Sequence, residues 1–354
     1  MMKSEFQPDW ASPPGDTIAD ILRERNVSPE QFAAELRRPS EEVKSLLRGQ
    51  IAITLELARQ LEQTLGATFQ FWMSRDYQYR EDLERREQAA TQWLSDLPIQ
   101  DMIRFGWLPS KPTPTLSSCL KFFGVPNLSA WSERYAQLQQ VMSYRTSPTF
   151  RSKPAAVAAW LRQGEVEANS ADCKEWHADT FRDALSEIRK LTREKDPDRF
   201  LPALKSLCAE CGVSVVSLRS PNGCRASGAT RFLSHTKAIL MLSFRHLSDD
   251  HFWFTFFHEA GHLLLHGKRR FFLEADDLTA DSDEREADVF AASTLVPPEF
   301  RDELLTLRPN HKAVIRFAMH VGISPGIVVG QLQHLGHLKY NQLNRLKRRY
   351  TWES

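Results

Sequence analysis

Two histidines and a glutamate lie in an otherwise apolar stretch of the chain, residues 252–267. They are His258, Glu259 and His262, in the pattern His-Glu-x-x-His. Residues four apart share one face of a helix, so both imidazoles can bind the same metal ion. Glu259 is placed to accept a proton from a water molecule on that ion. Polar groups among Phe and Leu are costly unless they have partners, so the context favours a metal site over an ordinary helix with two histidines.

Two imidazoles do not complete a catalytic zinc site, which usually has three protein ligands and one open position. The acidic stretch 283–292 supplies two candidates for the third ligand, Glu284 and Glu286. These two lie on different faces of a helix, so they compete for the role. His266 is eight residues after His258, about 12 Å along a helix. We therefore expect His266 behind the site or on the surface, not on the same ion.

The strings FTFFHEAGHLLLHG and EREADVFAASTLVP together resemble the ImmA/IrrE family of metallopeptidases. The resemblance implies a metallo-endopeptidase in which His258 and His262 bind the metal and Glu259 is the general base. It also implies that Glu286 is the third ligand. The expected metal is Zn²⁺, which affinity order favours, although Mn²⁺ or Fe²⁺ can occupy two histidines and a glutamate.

Composition excludes several other classes of protein. The chain of 354 residues has a net charge of +1, so no global field attracts nucleic acid or membrane. No run of 18 apolar residues predicts a transmembrane helix, and residues 1–10 lack the apolar core of a secretory signal. The five cysteines are scattered, and Cys208-Ala-Glu-Cys211 has no second pair to make a zinc site. Reduced, buried thiols in a cytoplasmic protein are the expectation.

Residues 1–80 have the capping signals of short helices joined by tight turns. Ser28-Pro29 with Gln31 predicts a capping box, Ser40 is expected to cap the next helix, and Thr54 the one after it. This pattern is typical of a helix-turn-helix domain. The segment also resembles the XRE-type domain of HigA-like antitoxins. The landmarks that carry this resemblance are Pro14-Gly15, Gly49, Ile53-Thr54, Ala58 and Phe71-Trp72.

The third helix of such a domain would enter the major groove of DNA. Its candidate DNA-binding residues are Ser40, Glu41, Lys44, Ser45 and Arg48. Two glutamates in this helix, and a count of 10 Lys+Arg against 12 Asp+Glu over residues 1–80, differ from the basic face of a dedicated DNA binder. We therefore expect weak binding of operator DNA. The alternative is a helix-turn-helix used for homodimerisation or for holding a protein partner.

The predicted fold is α+β and mainly α, in four parts. Residues 1–80 form the helix-turn-helix bundle, and 81–199 a helical connecting region. Residues 200–305 form a zincin-like peptidase domain with a small β-sheet packed on the His-Glu-x-x-His helix. Residues 306–354 form a C-terminal helical extension. Its basic run from Lys339 to Tyr350 is interpreted as a solvated helix face or a contact for nucleic acid or an acidic partner.

Two functions follow from these motifs. The favoured one is a zinc-dependent endopeptidase coupled to a helix-turn-helix domain, and the resemblance implies a bacterial or phage regulator that cleaves a repressor or antitoxin-like partner. The alternative is a HigA-like antitoxin or transcriptional regulator whose metal site is structural or sensory. An extended substrate can align on a sheet edge, for which residues 237–244 are the candidate, although their continuous apolar run equally suits an interior strand.

Overall fold

The structure is a computed structural model that describes residues 11–136, 152–243, 245–267, 272–275, 282–308 and 310–351. The expectation for residues 1–10 lies outside this part of the chain. The described residues are mainly helical with one small sheet, which confirms the predicted α+β class. The chain divides into two compact units, Met1–Ser95 and Asp96–Ser354.

The first unit is a bundle of helices around one core. Its helices are α1 (Pro14–Glu24), α2 (Pro29–Leu36), α3 (Ser40–Leu47), α4 (Leu55–Leu65) and α5 (Phe69–Asp96), the last of which ends at the unit boundary. Ile18, Phe32, Leu61 and Trp72 are fully buried in this core.

The caps explain where these helices begin. Ser28 and Gln31 form the predicted capping box, with both backbone-to-side-chain hydrogen bonds present. The Thr54 hydroxyl accepts from the Leu57 N–H, as predicted. The prediction for Ser40 is wrong: it is the first helical residue, and the capping position is Pro39, whose side chain cannot accept a hydrogen bond.

The second unit combines helices with a four-stranded sheet. Its elements are α6 (Ile99–Arg104), α7 (Leu116–Phe123), α8 (Leu128–Arg134), α9 (Pro154–Ser170), α10 (Ala178–Leu191), α11 (Pro197–Ala209), β1 (Val213–Ser217), β2 (Ala226–Phe232), β3 (Ala238–Leu242), α12 (Asp249–Leu265), β4 (Phe272–Ala275), α13 (Ser282–Leu295), α14 (Arg301–Thr306), α15 (His311–Val321) and α16 (Pro325–His334). A single core joins α10, α11, β1, β3, α12, α13, α15 and α16. The predicted four-part division of the chain stays a prediction.

The strand order is β1-β3-β2-β4, with β1 parallel to β3 and the other pairs antiparallel. Strand β3 is therefore interior, and every one of its residues is buried. The sheet-edge prediction for residues 237–244 is wrong for this strand, because an apolar run of this kind is buried on both faces of the sheet.

Helix α12 packs against the sheet on one side and against α13 and α16 on the other. Trp253, Phe256 and Phe257 of this helix are completely buried. This packing matches the predicted sheet on the His-Glu-x-x-His helix. Among the described residues, no single helix is long and apolar enough to cross a membrane; α15 and α16 reach that length and composition only as a sharply bent pair.

The basic run from 339 to 350 forms no α-helix, so its interpretation as a solvated helix face is wrong. Residues 347–350 instead run beside the start of α12, and we call them the C-terminal strap. The Asp249 N–H donates to the Arg348 carbonyl at 3.1 Å, and the Tyr350 N–H donates to the Leu247 carbonyl at 2.8 Å. A bridge between Ser248 and Arg349 completes this antiparallel contact.

Candidate metal centre

The two histidines of α12 bring their ring nitrogens together in the interior of the second unit. The Nε2 atoms of His258 and His262 lie 3.0 Å apart, and both side chains are almost fully buried. The helical spacing alone produces this approach, because residues i and i+4 lie on the same face. The sequence prediction placed both residues here.

Glu284 of α13 is the acidic side chain that reaches this pair. Its Oε2 lies 3.2 Å from His258 Nε2, and its Oε1 lies 3.6 Å from His262 Nε2. Burial alone would raise the pKa of Glu284, but its contacts with the two histidines outweigh burial and lower the pKa to about 2. Burial lowers the pKa of His262, which favours the neutral imidazole that a metal requires. Glu284 therefore presents a carboxylate beside neutral ring nitrogens.

The resemblance-based choice of Glu286 does not fit this geometry. The Glu286 side chain is 61% exposed, against 16% for Glu284, and its Oε2 contacts His266 Nε2 at 3.2 Å. Two residues correspond to more than half a helical turn, so Glu284 and Glu286 cannot point at the same ion. The motif predicts the helix on which the third candidate ligand lies, but not which face of that helix is turned towards α12.

Further polar groups contact the outer nitrogens of the two imidazoles. Asp288, four residues after Glu284 on α13, has its Oδ1 at 2.9 Å from His258 Nδ1. The Nδ1 atom of His266 lies 3.0 Å from that of His262, which places His266 behind the site as expected. Because a carboxylate only accepts, Asp288 favours a proton on His258 Nδ1 and leaves Nε2 with its lone pair facing inwards. Sequence reasoning missed Asp288, although the Glu284–Asp288 spacing of four residues was a readable signal.

These donors fit a divalent metal. Tetrahedral zinc with bonds of about 2.0–2.1 Å separates its ligand atoms by roughly 3.3 Å, close to the distances between these nitrogens and oxygens. In the described part of the chain, His258, His262 and Glu284 are the group of three metal-ligating side chains close enough to share an ion. The assignment of His258, His262 and Glu284 as ligands is carried forward as a proposal.

Glu259 lies next to the ligands and is completely buried. Strand β2 passes directly over it: a Cβ built on Gly228 would lie 2.6 Å from Glu259 Oε1 and 2.6 Å from Thr255 Cγ2. Only glycine allows the β2 backbone to approach α12 so closely. The position of Glu259 therefore depends on the strand as well as on the helix.

The region that contains these residues is similar to a known protein family. Residues 208–332 match the family model described as the IrrE N-terminal-like domain, Peptidase_M78. This M78-like region contains the complete histidine–glutamate cluster. The predicted resemblance to IrrE-type peptidases is confirmed here.

The N-terminal region is similar to a different kind of protein. It is 36% identical over 61 residues to the "Uncharacterized HTH-type transcriptional regulator YddM" of Escherichia coli (strain K12). That alignment covers 17% of this chain and 65% of the relative, so the chain spans about two thirds of the length of this relative. A solved addiction module antidote protein of the HigA family from Coxiella burnetii is 26% identical, with a TM-score of 0.21 over 23% of this chain and 92% of that chain. The predicted helix-turn-helix resemblance is confirmed.

The candidate DNA-binding residues lie on α3 and just after it. Ser40, Glu41 and Arg48 are exposed, whereas Lys44 and Ser45 are half-buried. Glu41 pairs with Lys44 at 2.8 Å, and Glu42 pairs with Arg38. The acidic side chains of this helix are thus partly neutralised within the domain, which reduces the repulsion that the sequence suggested.

Cys208 and Cys211 are buried, and burial raises the pKa of both thiols. Buried thiols at these positions were predicted from the sequence. Both cysteines pack in the core like other small apolar residues. No metal role is assigned to them.

Proposed function

We propose that the second unit is a metal-dependent endopeptidase and that the first unit couples it to the control of a regulatory protein. The observation that carries this proposal is the convergence of His258, His262 and Glu284, with Glu259 beside them. The proposed substrate is a repressor or antitoxin-type partner protein, which follows from the helix-turn-helix relative and the M78-like region on one chain.

The proposed metal ligands are His258 Nε2, His262 Nε2 and the Glu284 carboxylate. A divalent ion, Zn²⁺ by preference and Mn²⁺ or Fe²⁺ as alternatives, supplies Lewis-acid activation of water and of a peptide carbonyl when bound. Two nitrogens and a carboxylate leave a coordination position open, as catalytic sites require. Asp288 and His266 hold the imidazole rings so that both Nε2 atoms face the same point.

Glu259 is proposed as the general base. It follows His258 directly, so it lies beside the ligands without joining them. Its carboxylate can take the proton of the attacking water and deliver it to the leaving amine. The surrounding packing of α12 and β2 excludes bulk water, which strengthens electrostatic interactions at this carboxylate.

A comparison of two variants of the full chain tests this function. Glu259→Gln keeps the shape of the side chain but cannot accept a proton, and loss of a general base costs about 10²–10⁴-fold in rate. We expect this variant to bind one metal per chain and fail to cut a co-expressed repressor or antitoxin-type partner. His258→Ala should lose both properties. If Glu259→Gln cuts as fast as the parent chain, Glu259 is not the general base. If the parent chain itself leaves the partner uncut, a regulator with a structural or sensory metal becomes the better account.

For the first unit we propose weak contact with operator DNA through Ser40, Glu41, Lys44, Ser45 and Arg48, with homodimerisation through the same domain as a further role. The similarity to an HTH-type regulator supports this proposal. Glu41→Lys in the full chain should tighten binding to duplex DNA and steepen its salt dependence by about one phosphate contact. Glu84→Lys on α5, also exposed, is the matched control. Equal effects of both changes would contradict a DNA-facing α3.

A further inference from the structure

A cavity of about 310 Å³ opens beside the first turns of α12. This volume lies at the lower end of the range of ligand sites, roughly 300–1,000 Å³. Its walls come from α12, β2, α13, α16 and the residues that follow α16. The cavity includes Tyr340 and Lys347, which lie beyond the M78-like region 208–332.

The cavity lies one helical turn from the candidate catalytic residues of α12, and neighbours of those residues line it. Thr255 lines it and lies three residues before His258, hence on the same face and about 4.5 Å along the axis. The Phe254 ring, also in the wall, is 6.3 Å from the His258 ring. On the opposite side, Ser227 lines the cavity and directly precedes Gly228, the residue that abuts Glu259.

The cavity wall combines apolar side chains with polar ones such as Gln331 and Gln333, and two of its histidine rings are stacked. Phe254, Leu295 and Ile327 supply apolar surface. His246 and His251 are stacked, with ring centroids 4.3 Å apart and planes within 24°. Such surfaces suit an aromatic side chain, which combines a large apolar area with favourable ring–ring geometry.

The charges in the wall compensate each other. One aspartate and one lysine line the cavity, Asp250 and Lys347. Lys347 Nζ lies 2.6 Å from Asp250 Oδ2, and the two side chains are only 9% and 7% exposed, respectively. Lys347 Nζ also donates to Gln333 Oε1 at 2.7 Å. A charged side chain entering the cavity would lose hydration and find both the aspartate and the lysine of the wall already paired, which is unfavourable.

We propose that this cavity is the subsite that receives an aromatic side chain of the cleaved polypeptide, next to the scissile bond. The proposal rests on the proposed function for its substrate. Tyr340 and Lys347, outside the M78-like region, complete a wall whose apolar side chains and stacked rings lie within that region.

The first test measures binding alone, without catalysis. N-acetyl-tyrosine amide, N-acetyl-leucine amide and N-acetyl-glutamate amide are titrated into the full chain and followed by ligand-observed NMR. We expect the tyrosine amide to bind best and Ser227→Trp, which fills the cavity, to abolish its binding. His251→Ala removes one of the stacked rings and should weaken binding by about 2- to 12-fold, whereas His311→Ala, an exposed histidine on α15, should not. Equal binding of the three amides, or no effect of Ser227→Trp, overturns the subsite.

The second test separates this proposal from the proposed function. A mixed peptide library is incubated with the metal-loaded full chain, and the cut positions are read by mass spectrometry. We expect an aromatic residue at one fixed position beside the cut bond, and loss of that bias with Ser227→Trp. Cutting without an aromatic bias overturns the subsite and leaves the peptidase standing. Binding of the tyrosine amide without any cutting overturns the peptidase and, with it, the assignment of the cavity to a substrate.

Discussion

In the proposed metal centre, each of the two imidazoles contacts a further polar side chain that does not belong to the proposed ligands. Asp288 Oδ1 lies 2.9 Å from His258 Nδ1, and His266 Nδ1 lies 3.0 Å from His262 Nδ1. Such partners fix the ring orientation and raise the basicity of the inward nitrogen. The proposed site is therefore a set of at least six side chains, of which the His-Glu-x-x-His motif identifies three.

Replacing Asp288 tests this orienting role. Asp288→Asn keeps the size of the side chain but removes the negative charge that favours a proton on His258 Nδ1. We expect metal affinity to fall by about 10–100-fold, as is typical for loss of such a partner. The measurement is competition with a chromophoric chelator. Asp302→Asn, at an exposed position of α14, is the control and should leave affinity unchanged.

At this scale, the sequence predicts the relative placement of side chains that share one helix, but not of side chains on two different helices. His258, Glu259 and His262 lie within five residues of one helix, so their relative directions follow from helical geometry. The choice between Glu284 and Glu286 depends on how α13 is rotated against α12. That rotation is set by packing, for example by the buried Ala287 and Ala291, and spacing along the chain does not encode it.

Strand β2 is the element that completes the site from the other side. Gly228 pairs with Leu242 of β3 and with Glu274 of β4, so its backbone is held between two neighbouring strands. It cannot retreat from α12 without disturbing the sheet. The close approach to Glu259 is therefore enforced by strand pairing.

Gly228→Ala on β2 is expected to slow peptide cleavage without loss of the metal. The added methyl group would meet Thr255 Cγ2 and Glu259 Oε1 at 2.6 Å, so Glu259 must move. Overpacking of this kind costs about 1–3 kcal/mol. We expect the variant to hold its metal while its rate of peptide cleavage falls by at least tenfold. Cleavage at the parent rate would mean that Glu259 is not held by β2.

The elements themselves were largely predictable, because caps and periodicity are local signals. The capping box at Ser28 and the Thr54 cap follow from neighbouring residues. The position of β3 within the sheet was not predictable, since an apolar run of this kind fits both an edge and an interior strand until its partners are known.

At the scale of the whole second unit, the C-terminal strap connects the start of α12 to a segment far away in the sequence. Arg348 N–H donates to Asp249 Oδ1 at 2.9 Å, and its guanidinium donates to the carbonyls of Thr192 and Glu194. The strap therefore joins α12 to the end of α10, two segments far apart in sequence. Contacts across such separations leave no periodicity in the sequence. The sequence therefore could not show that part of the basic run lies beside α12 and does not form a solvated helix face.

Breaking the buried pair between Lys347 and Asp250 tests how much the strap contributes to the free energy of unfolding. Lys347→Met leaves Asp250 as a buried charge without its lysine, and breaking a buried pair costs about 3–5 kcal/mol. We expect a clear loss of unfolding free energy in denaturant titrations of the full chain. Lys339→Met, an exposed lysine in the same run, should change it little. Equal stability of the two variants would show that the strap does not stabilise α12.

The most direct test of the account is the metal content of three variants of the full chain, measured after gel filtration by inductively coupled plasma mass spectrometry. The geometry predicts that the parent chain and Glu286→Ala each retain one metal ion per chain, because Glu286 points at His266. It predicts that Glu284→Ala and His262→Ala lose the metal, because each removes one of three ligands. Retention of metal by Glu284→Ala together with its loss from Glu286→Ala would contradict the proposed centre.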